Sequence, residues 1–177
     1  LGSGSVTYGI LNLMEKYFKI NKDNIVLVDS QGLVGKRDIY SDDLKKSYSK
    51  NSCELNDISK IIEQFEPQII IGASGIPDLV SDDDLKYLLN LKKYKNLIVF
   101  SLGNPEEKTE IKYTEYIKNN KNIFYATGAS ISGTIQLNNY LAYPLLARKL
   151  LQNEKGANRD TIFKEVIEEL IELTCED

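Results

Sequence analysis

Residues 1–29 read LGSGSVTYGILNLMEKYFKINKDNIVLVD, and this stretch decides the fold. A glycine-rich turn opens a helical pattern of apolar residues, which is followed by a continuous apolar run at residues 25–28 and by Asp29. Gly2 and Gly4 match the first two glycines of the fingerprint that binds a dinucleotide pyrophosphate at a helix N-terminus. Thr7 stands at the third position, where glycine or alanine is usual, and predicts looser packing of the helix there. Taken alone, the glycines are equally typical of a flexible linker.

Asp29 is the feature that favours the dinucleotide interpretation. It ends a buried strand and lies 22 residues after Thr7. At about this spacing an acidic residue accepts hydrogen bonds from the adenosine ribose. An aspartate at a strand end can also simply begin a turn. The order of glycine turn, helix, strand and acid favours the functional interpretation.

The rest of the chain repeats this alternation of helices and strands. Solid apolar runs at residues 69–71, 97–100 and 123–126 are separated by segments of helical periodicity, which indicates a parallel sheet covered by helices. The sequence therefore predicts a Rossmann-type, doubly wound α/β fold with flanking helices. Its first strand is expected to be largely missing, because only Leu1 precedes the glycines. We expect one domain over residues 1–177, with C-terminal helices at about 136–173.

Composition argues against several classes of function. The chain has 177 residues, a net charge of -4 and no basic stripe, so nucleic acid is not an expected partner. No apolar run approaches the ~20 residues of a membrane span. The absence of histidine removes the commonest general base and zinc ligand. Two distant cysteines, Cys53 and Cys175, indicate a reducing compartment, the cytoplasm or an organelle matrix, and not secretion.

Further loops with small or amide side chains follow the predicted strands. Residues 72–75, GASG, and residues 101–105, SLGNP, come directly after two strands, where small residues keep a crevice open for a ligand. Residues 136–140, QLNNY, place adjacent amides between the last strand and a helix. Each loop also has a simpler interpretation, as a tight turn or a helix N-cap.

Taken together, these segments resemble the malic enzymes. The resemblance rests on the stretches GSGSVTYGI, IVLVDSQGLVGKRD, IIIGASGIPDLVSDDDL, IVFSLGNP and ATGASISGTIQLNNYLAYP. It implies oxidative decarboxylation of L-malate to pyruvate and CO2, with NAD or NADP and a Mg or Mn ion, in a homodimer or homotetramer. The family's general-acid tyrosine, general-base lysine and carboxylate metal ligands have no counterpart here. We therefore expect no catalytic or metal-binding residue in this chain, and no activity from the chain alone.

The resemblance also assigns the binding residues. The cofactor-binding set that it implies, from the pyrophosphate through the adenosine ribose to the nicotinamide, is Gly2, Gly4, Ser5, Asp29, Ser30, Ala73, Ser74, Gly75 and Asn104. Asn104 and Asn139 would also contact the substrate. Ala129 stands where the bacterial form of the family usually has arginine, so substrate contacts near it are expected to differ.

The sequence leaves three functions open. The first is the cofactor domain of a working malic enzyme, the second is a non-catalytic or regulatory dinucleotide-binding module, and the third is another Rossmann dehydrogenase. Asp29 suits the free 2′-hydroxyl of NAD and repels the 2′-phosphate of NADP. Nearby basic residues could neutralise that phosphate, but we interpret them as a solvated face and predict NAD, with NADP as the alternative; they are Lys36, Arg37, Lys45 and Lys46. An apolar stripe on residues 161–173 predicts packing within the chain or against another subunit.

Overall fold

The computed structural model describes residues 1–35, 43–50, 55–137, 142–152 and 158–174. These residues divide into two compact units, Leu1–Gln136 and Leu137–Asp177. The single domain expected over residues 1–177 stays a prediction. The first unit holds the strands and the second holds the C-terminal helices.

The strands of the first unit form a hairpin and a parallel sheet. Strand β1 (Val28–Asp29) pairs antiparallel with β2 (Gly32–Leu33). The sheet has the order β3 (Ile69–Gly72), β4 (Leu97–Ser101), β5 (Ile123–Thr127) and β6 (Ile135–Gln136), and all its strands are parallel. A parallel sheet with flanking helices confirms the predicted Rossmann-type fold. The predicted apolar runs at 69–71, 97–100 and 123–126 are β3, β4 and β5, whereas β2 and β6 have no counterpart in the sequence prediction.

Leu1 joins the hairpin to the sheet. Its amino group donates a hydrogen bond of 2.6 Å to the carbonyl of Ile71, and its carbonyl accepts one of 2.8 Å from the amide of Ala73. On the other side, the amide of Gly2 donates to the carbonyl of Val28 at 2.8 Å. Hydrogen bonds to both neighbours are those of a central residue in a parallel sheet. Leu1 therefore lies where the first strand of the predicted fold belongs.

A groove of about 640 Å³ lies beside Leu1, and it explains why the strand predicted at residues 25–28 is short. The sequence predicts a strand at residues 25–28, but β1 begins only at Val28. The residues before Val28 line the groove, together with the inner face of the first helix and the residues that lead into β3. A strand residue needs a paired neighbour, and on this side the neighbour of residues 25–27 is the groove.

Helices surround the strands in chain order. In the first unit they are α1 (Ser5–Lys16), α2 (Asp43–Ser47), α3 (Ile58–Phe65), α4 (Asp82–Asn90) and α5 (Glu115–Asn119). Side-chain caps fix the starts of α3 and α4: Asp57 accepts from the amide of Ser59 before α3, and Ser81 and Asp84 form a capping box at α4. The main core lies between the sheet and these helices and includes Leu85, Leu88, Leu97, Val99 and Ile111, each at most 1% exposed.

The second unit contains α6 (Tyr143–Gln152) and α7 (Arg159–Thr174), which pack against each other. Arg148 forms an ion pair with Glu169 across the two helices. The predicted apolar stripe of α7 is divided, since Ile162 and Val166 are buried while other members of the stripe remain exposed. Within the described ranges, none of the helices combines the length and apolar character that a membrane span requires.

Candidate functional site

The candidate site lies at the edge of the parallel sheet where the strands end. A cavity of about 170 Å³ opens there between the Gly2 turn, the end of β1 and the loop after β3. Its lining includes Gly2, Asp29, Ser30 and Ser74 from the predicted set, and Ile76 supplies an apolar wall. Ligands of open α/β sheets bind at the carboxyl ends of the strands. The structure thus brings these predicted residues together at the expected edge.

The glycine turn is shaped by close contact with the loop after β3. Gly2 has φ 103°, in the region that favours glycine. A Cβ on Gly2 would lie 2.7 Å from the carbonyl oxygen of Ala73, so a side chain there would collide with backbone. Thr7 is buried, and its hydroxyl donates to the carbonyl of Gly2 at 3.2 Å. The hydroxyl at the third fingerprint position therefore fastens the turn, while the looser packing of the helix stays a prediction.

The N-terminus of α1 is open to a ligand. Gly4 is the N-cap residue, and no side chain caps the helix there. A Cβ on Gly4 would meet nothing within 4 Å, and Ser5 at the start of the helix is exposed. The first turn contains no acidic residue. The partial positive charge of the helix end is therefore available to an anion.

Asp29 lies beside a lysine at the position predicted for the ribose. Its carboxylate accepts from the amide of Gln31 at 2.8 Å and forms an ion pair of 3.1 Å with Lys45 of α2. The side chains of Asp29 and Lys45 are only 6% and 23% exposed. The interpretation of the basic residues as a solvated face is therefore wrong for Lys45, because α2 turns it towards the end of β1. Lys46 is exposed as expected, and the other two basic residues, Lys36 and Arg37, lie outside the described residues.

The loop after β3 turns its backbone amides inward. The amides of Ser74 and Gly75 both donate to Oε1 of Glu110, each at 2.7 Å. Gly75 has φ 67°, and the hydroxyl of Ser74 accepts from the amide of Ile76 at 3.1 Å. Ser74 lines the cavity with its other side. The loop is therefore held from within by a carboxylate while it faces the cavity.

Glu110 is the residue that the sequence reasoning missed. Its side chain is fully buried, and its Oε2 accepts from the hydroxyl of Ser101 at 3.2 Å and from the amide of Gly103 at 3.0 Å. It stands in the charged stretch EEKTE at residues 106–110, which is typical of a solvated loop. No local pattern distinguishes it. Gly72 is its structural counterpart, since a Cβ there would lie 2.6 Å from the Cβ of Glu110.

Asn104 and Ala73 belong to the predicted set but do not line the small cavity. Asn104 is exposed in the loop after β4, in a cis peptide bond with Pro105, and is not among the residues that line the cavity. Ala73 lines the groove beside Leu1 instead. Asn139 and its neighbour Asn138 lie outside the described residues.

Charge near the site includes one group with a strongly altered pKa. Burial lowers the pKa of the Leu1 amino group from 8.0 to about 6, and the nearby carboxylate of Glu110 partly opposes this shift. Metal binding has no support in the described part of the chain, where no group of three or more histidine, cysteine, aspartate or glutamate side chains is arranged to hold an ion. The start of α1 fits the phosphates of a dinucleotide, because the helix is uncapped and the space that a side chain at Gly4 would enter is open.

A family model matches the whole chain, and individual known proteins match most of it. The family model described as malic enzyme, NAD binding domain, matches residues 1–177. The NADP-dependent malic enzyme of Columba livia is 27% identical over 127 residues, and that of Homo sapiens is 26% identical over 155 residues, which cover 64% and 81% of this chain. A mitochondrial NADP-dependent malic enzyme of Mus musculus is 25% identical over 118 residues, or 62% of this chain. The chain spans about a fifth to a quarter of the length of these relatives, at 22%, 26% and 19%.

Proposed function

The chain belongs to the family of malic enzyme NAD-binding domains, and from this premise we propose that it is the cofactor-binding part of an enzyme that oxidatively decarboxylates L-malate to pyruvate and CO2. The single observation that carries the proposal is the meeting of the Gly2 turn, Asp29 and Ser74 around one cavity at the carboxyl edge of the sheet. A bound nicotinamide dinucleotide would supply the hydride acceptor. This chain binds and orients the dinucleotide.

The pyrophosphate half of the proposed site is formed by α1 and the turn before it. The backbone at Gly2 and Gly4 and the first amides of the helix, beginning at Ser5, face the phosphates and donate to them. Support comes from the missing side-chain cap and the open space at Gly4. Asp29 and Ser30 accept hydrogen bonds from the hydroxyls of the adenosine ribose, since both residues line the cavity.

The nicotinamide half is formed by the loops after β3 and β4. Ala73, Ser74 and Gly75 lie along the nicotinamide ribose, and the Asn104 amide contacts the nicotinamide and the substrate. Asn139 adds a second amide for the malate carboxylates. A side-chain amide orients a carboxylate without adding charge. The exposure of Asn104 at the end of β4 supports this role.

NAD is the proposed cofactor, because the carboxylate of Asp29 accepts a free 2′-hydroxyl and repels a 2′-phosphate. NADP is the second candidate, and a specific observation favours it: Lys45 lies 3.1 Å from Asp29 and could pair with the phosphate. The relatives described above are named as NADP-dependent.

Calorimetric titration of the 177-residue chain with NAD and with NADP tests the proposal, with circular dichroism confirming the fold. We expect saturable binding tighter than about millimolar, roughly -4 kcal/mol. A folded chain that binds neither nucleotide overturns the proposal for this molecule.

Lys45→Ala distinguishes the two cofactors, with Lys46→Ala as the matched control on the same helix. If Lys45 pairs with a 2′-phosphate, its removal weakens NADP binding about tenfold or more and leaves NAD binding intact. If the site is built for NAD, Lys45→Ala spares NAD binding, and NADP binds weakly before and after the change. Equal losses for NAD and NADP would contradict both assignments of Lys45.

The whole protein's chemistry is proposed from the family. The enzyme uses Mg or Mn, for which the described residues of this chain form no site, and it assembles as a homodimer or homotetramer in the cytoplasm or an organelle matrix. The isolated chain is expected to show no malate oxidation when NAD, NADP, malate and Mn are supplied. Turnover by the isolated chain would overturn its assignment as the cofactor-binding part alone.

A further inference from the structure

Glu110 is buried between the two loops that frame the nicotinamide half of the proposed site. It follows the 3-10 turn Glu106–Lys108 and has no exposed surface. Its own carbonyl accepts from the amide of Leu79 at 2.7 Å, which fixes the backbone from which the side chain extends. The side chain then passes over Gly72, the last residue of β3, where only a hydrogen leaves it room.

Each oxygen of this carboxylate serves a different loop. Oε1 accepts from the amides of Ser74 and Gly75 after β3, at 2.7 Å each. Oε2 accepts from the hydroxyl of Ser101 and the amide of Gly103 around the end of β4, at 3.2 and 3.0 Å. These loops are separated in sequence by β4 and the helix before it. The carboxylate is therefore a single rigid link between them.

The way in which this charge is held also distinguishes Glu110 from an ordinary ion pair. Within the described ranges, no lysine or arginine forms a salt bridge with it. Its hydrogen-bond donors are neutral groups, three of them backbone amides. A buried carboxylate persists when hydrogen bonds satisfy it, and amide donors fix backbone direction in a way that an apolar contact does not.

We propose that Glu110 is a positioning residue of the dinucleotide site, which locks the loops after β3 and β4 into one shape so that Ser74 and Asn104 meet the same ligand. It acts through the loops and touches neither cofactor nor substrate. The inference rests on the proposed function, and it adds to that function the residue that holds the nicotinamide half together.

Glu110→Gln is the sharpest perturbation, because glutamine keeps the shape but replaces one accepting oxygen with an NH2 donor. The remaining oxygen can accept hydrogen bonds from one loop only. The NH2 group then faces the donors of the other loop and cannot accept from them. Asp84→Asn is the matched control. Asp84 is also a buried carboxylate, 8% exposed, but it accepts from Ser81 at the start of α4 and touches neither loop.

Two measurements on the full 177-residue chain are made at a temperature where all variants are folded. Amide hydrogen exchange in the absence of ligand reports whether Ser74, Gly75 and Gly103 are released. Calorimetry reports NAD affinity. We expect Glu110→Gln to speed exchange at one or both loops and to weaken NAD binding, each by about tenfold, the size of one lost hydrogen bond to a charged group. Asp84→Asn should leave both unchanged.

The outcomes separate the inference from the proposed function. Unchanged exchange in Glu110→Gln overturns the link between the loops, whatever the chain binds. Faster exchange with unchanged NAD affinity keeps the link but overturns its positioning role, while the proposed function stands. A chain that binds no nucleotide removes the proposed function and the positioning role with it. Equal effects from Asp84→Asn would show a general loss of stability and overturn the assignment to Glu110.

Discussion

In a 177-residue polypeptide that begins at Leu1, the buried amino group of Leu1 makes the free energy of unfolding depend on pH in a predictable direction. In the folded chain its pKa falls from 8.0 to about 6, because burial removes water from the charged form. Below pH 6 the group is protonated in the folded and unfolded states, and above pH 8 it is neutral in both. Between these values the unfolded chain binds more protons. The free energy of unfolding must therefore rise with pH across this window and fall as the pH is lowered through it.

The expected size follows from the shift. Two pKa units at about 1.4 kcal/mol each correspond to about 3 kcal/mol, with a slope of about 1 kcal/mol per pH unit near pH 7. The chain offers an unusually clean background, since it contains no histidine. The ordinary pKa of its two cysteines, about 8.5, lies above the window, and those of carboxyl groups lie below it. Few other groups can produce a slope there.

Urea unfolding followed by circular dichroism, from about pH 5 to pH 9, measures this slope. The matched control is the same chain with an acetylated N-terminus, which lacks a titrating amine and should show a nearly flat profile between pH 6 and 8. The groove beside Leu1 has room for an acetyl group. An unmodified chain with no slope in this window would refute the reasoning, and so would the same slope in both chains.

Further changes test the packing of the strands and the core. Gly72→Ala places a Cβ 2.6 Å from that of Glu110 and should lower the free energy of unfolding by about 1–3 kcal/mol. Gly9→Ala, in open space on α1, should raise it by about 0.5–1 kcal/mol. Thermal unfolding that shifts in the same direction for both variants would contradict this. Leu88→Ala removes a fully buried side chain and should cost about 2–5 kcal/mol by urea unfolding, so a loss below about 1 kcal/mol would contradict the assigned core. Extending the chain before Leu1 by a few valines should raise the melting temperature by filling the groove. A Gly-Ser extension of equal length should not, and equal effects would count against a strand-shaped groove.

The sequence predicted the three longest strands of the parallel sheet. Strands β3, β4 and β5 were predicted because continuous apolar runs between breakers are what a strand covered on both faces requires. The run at residues 25–28 has the same pattern, yet only Val28 is part of a strand. An apolar run in the sequence indicates that a segment is buried. A strand also needs a neighbouring strand to pair with, and the run does not show this. Hairpin β1–β2 depends on Gly32 at φ 95°, a turn that the sequence reasoning did not identify.

Site residues could be predicted where their position along the backbone alone places them at the site. Gly2, Asp29 and Ser74 follow from their places at strand ends, and the structure brings them to one cavity. The partners of these residues were not predictable. Lys45 reaches Asp29 across 16 residues, and Glu110 reaches the loop after β3 across 35 and 36. Long side chains that cross between elements leave no periodic trace in a sequence.

Both of these partners bear on how an acidic chain receives an anionic ligand. Asp29 lines the cavity of the proposed site, and Glu110 is hydrogen-bonded to the loop after β3 that also lines it, in a chain whose net charge is -4. Lys45 compensates the first, and inward-facing amides compensate the second. A phosphate at the site is then attracted by the partial positive charge of the uncapped N-terminus of α1. Without these partners, the two carboxylates would repel the ligand at short range. The same interactions that shape the loops therefore also permit the anion to bind.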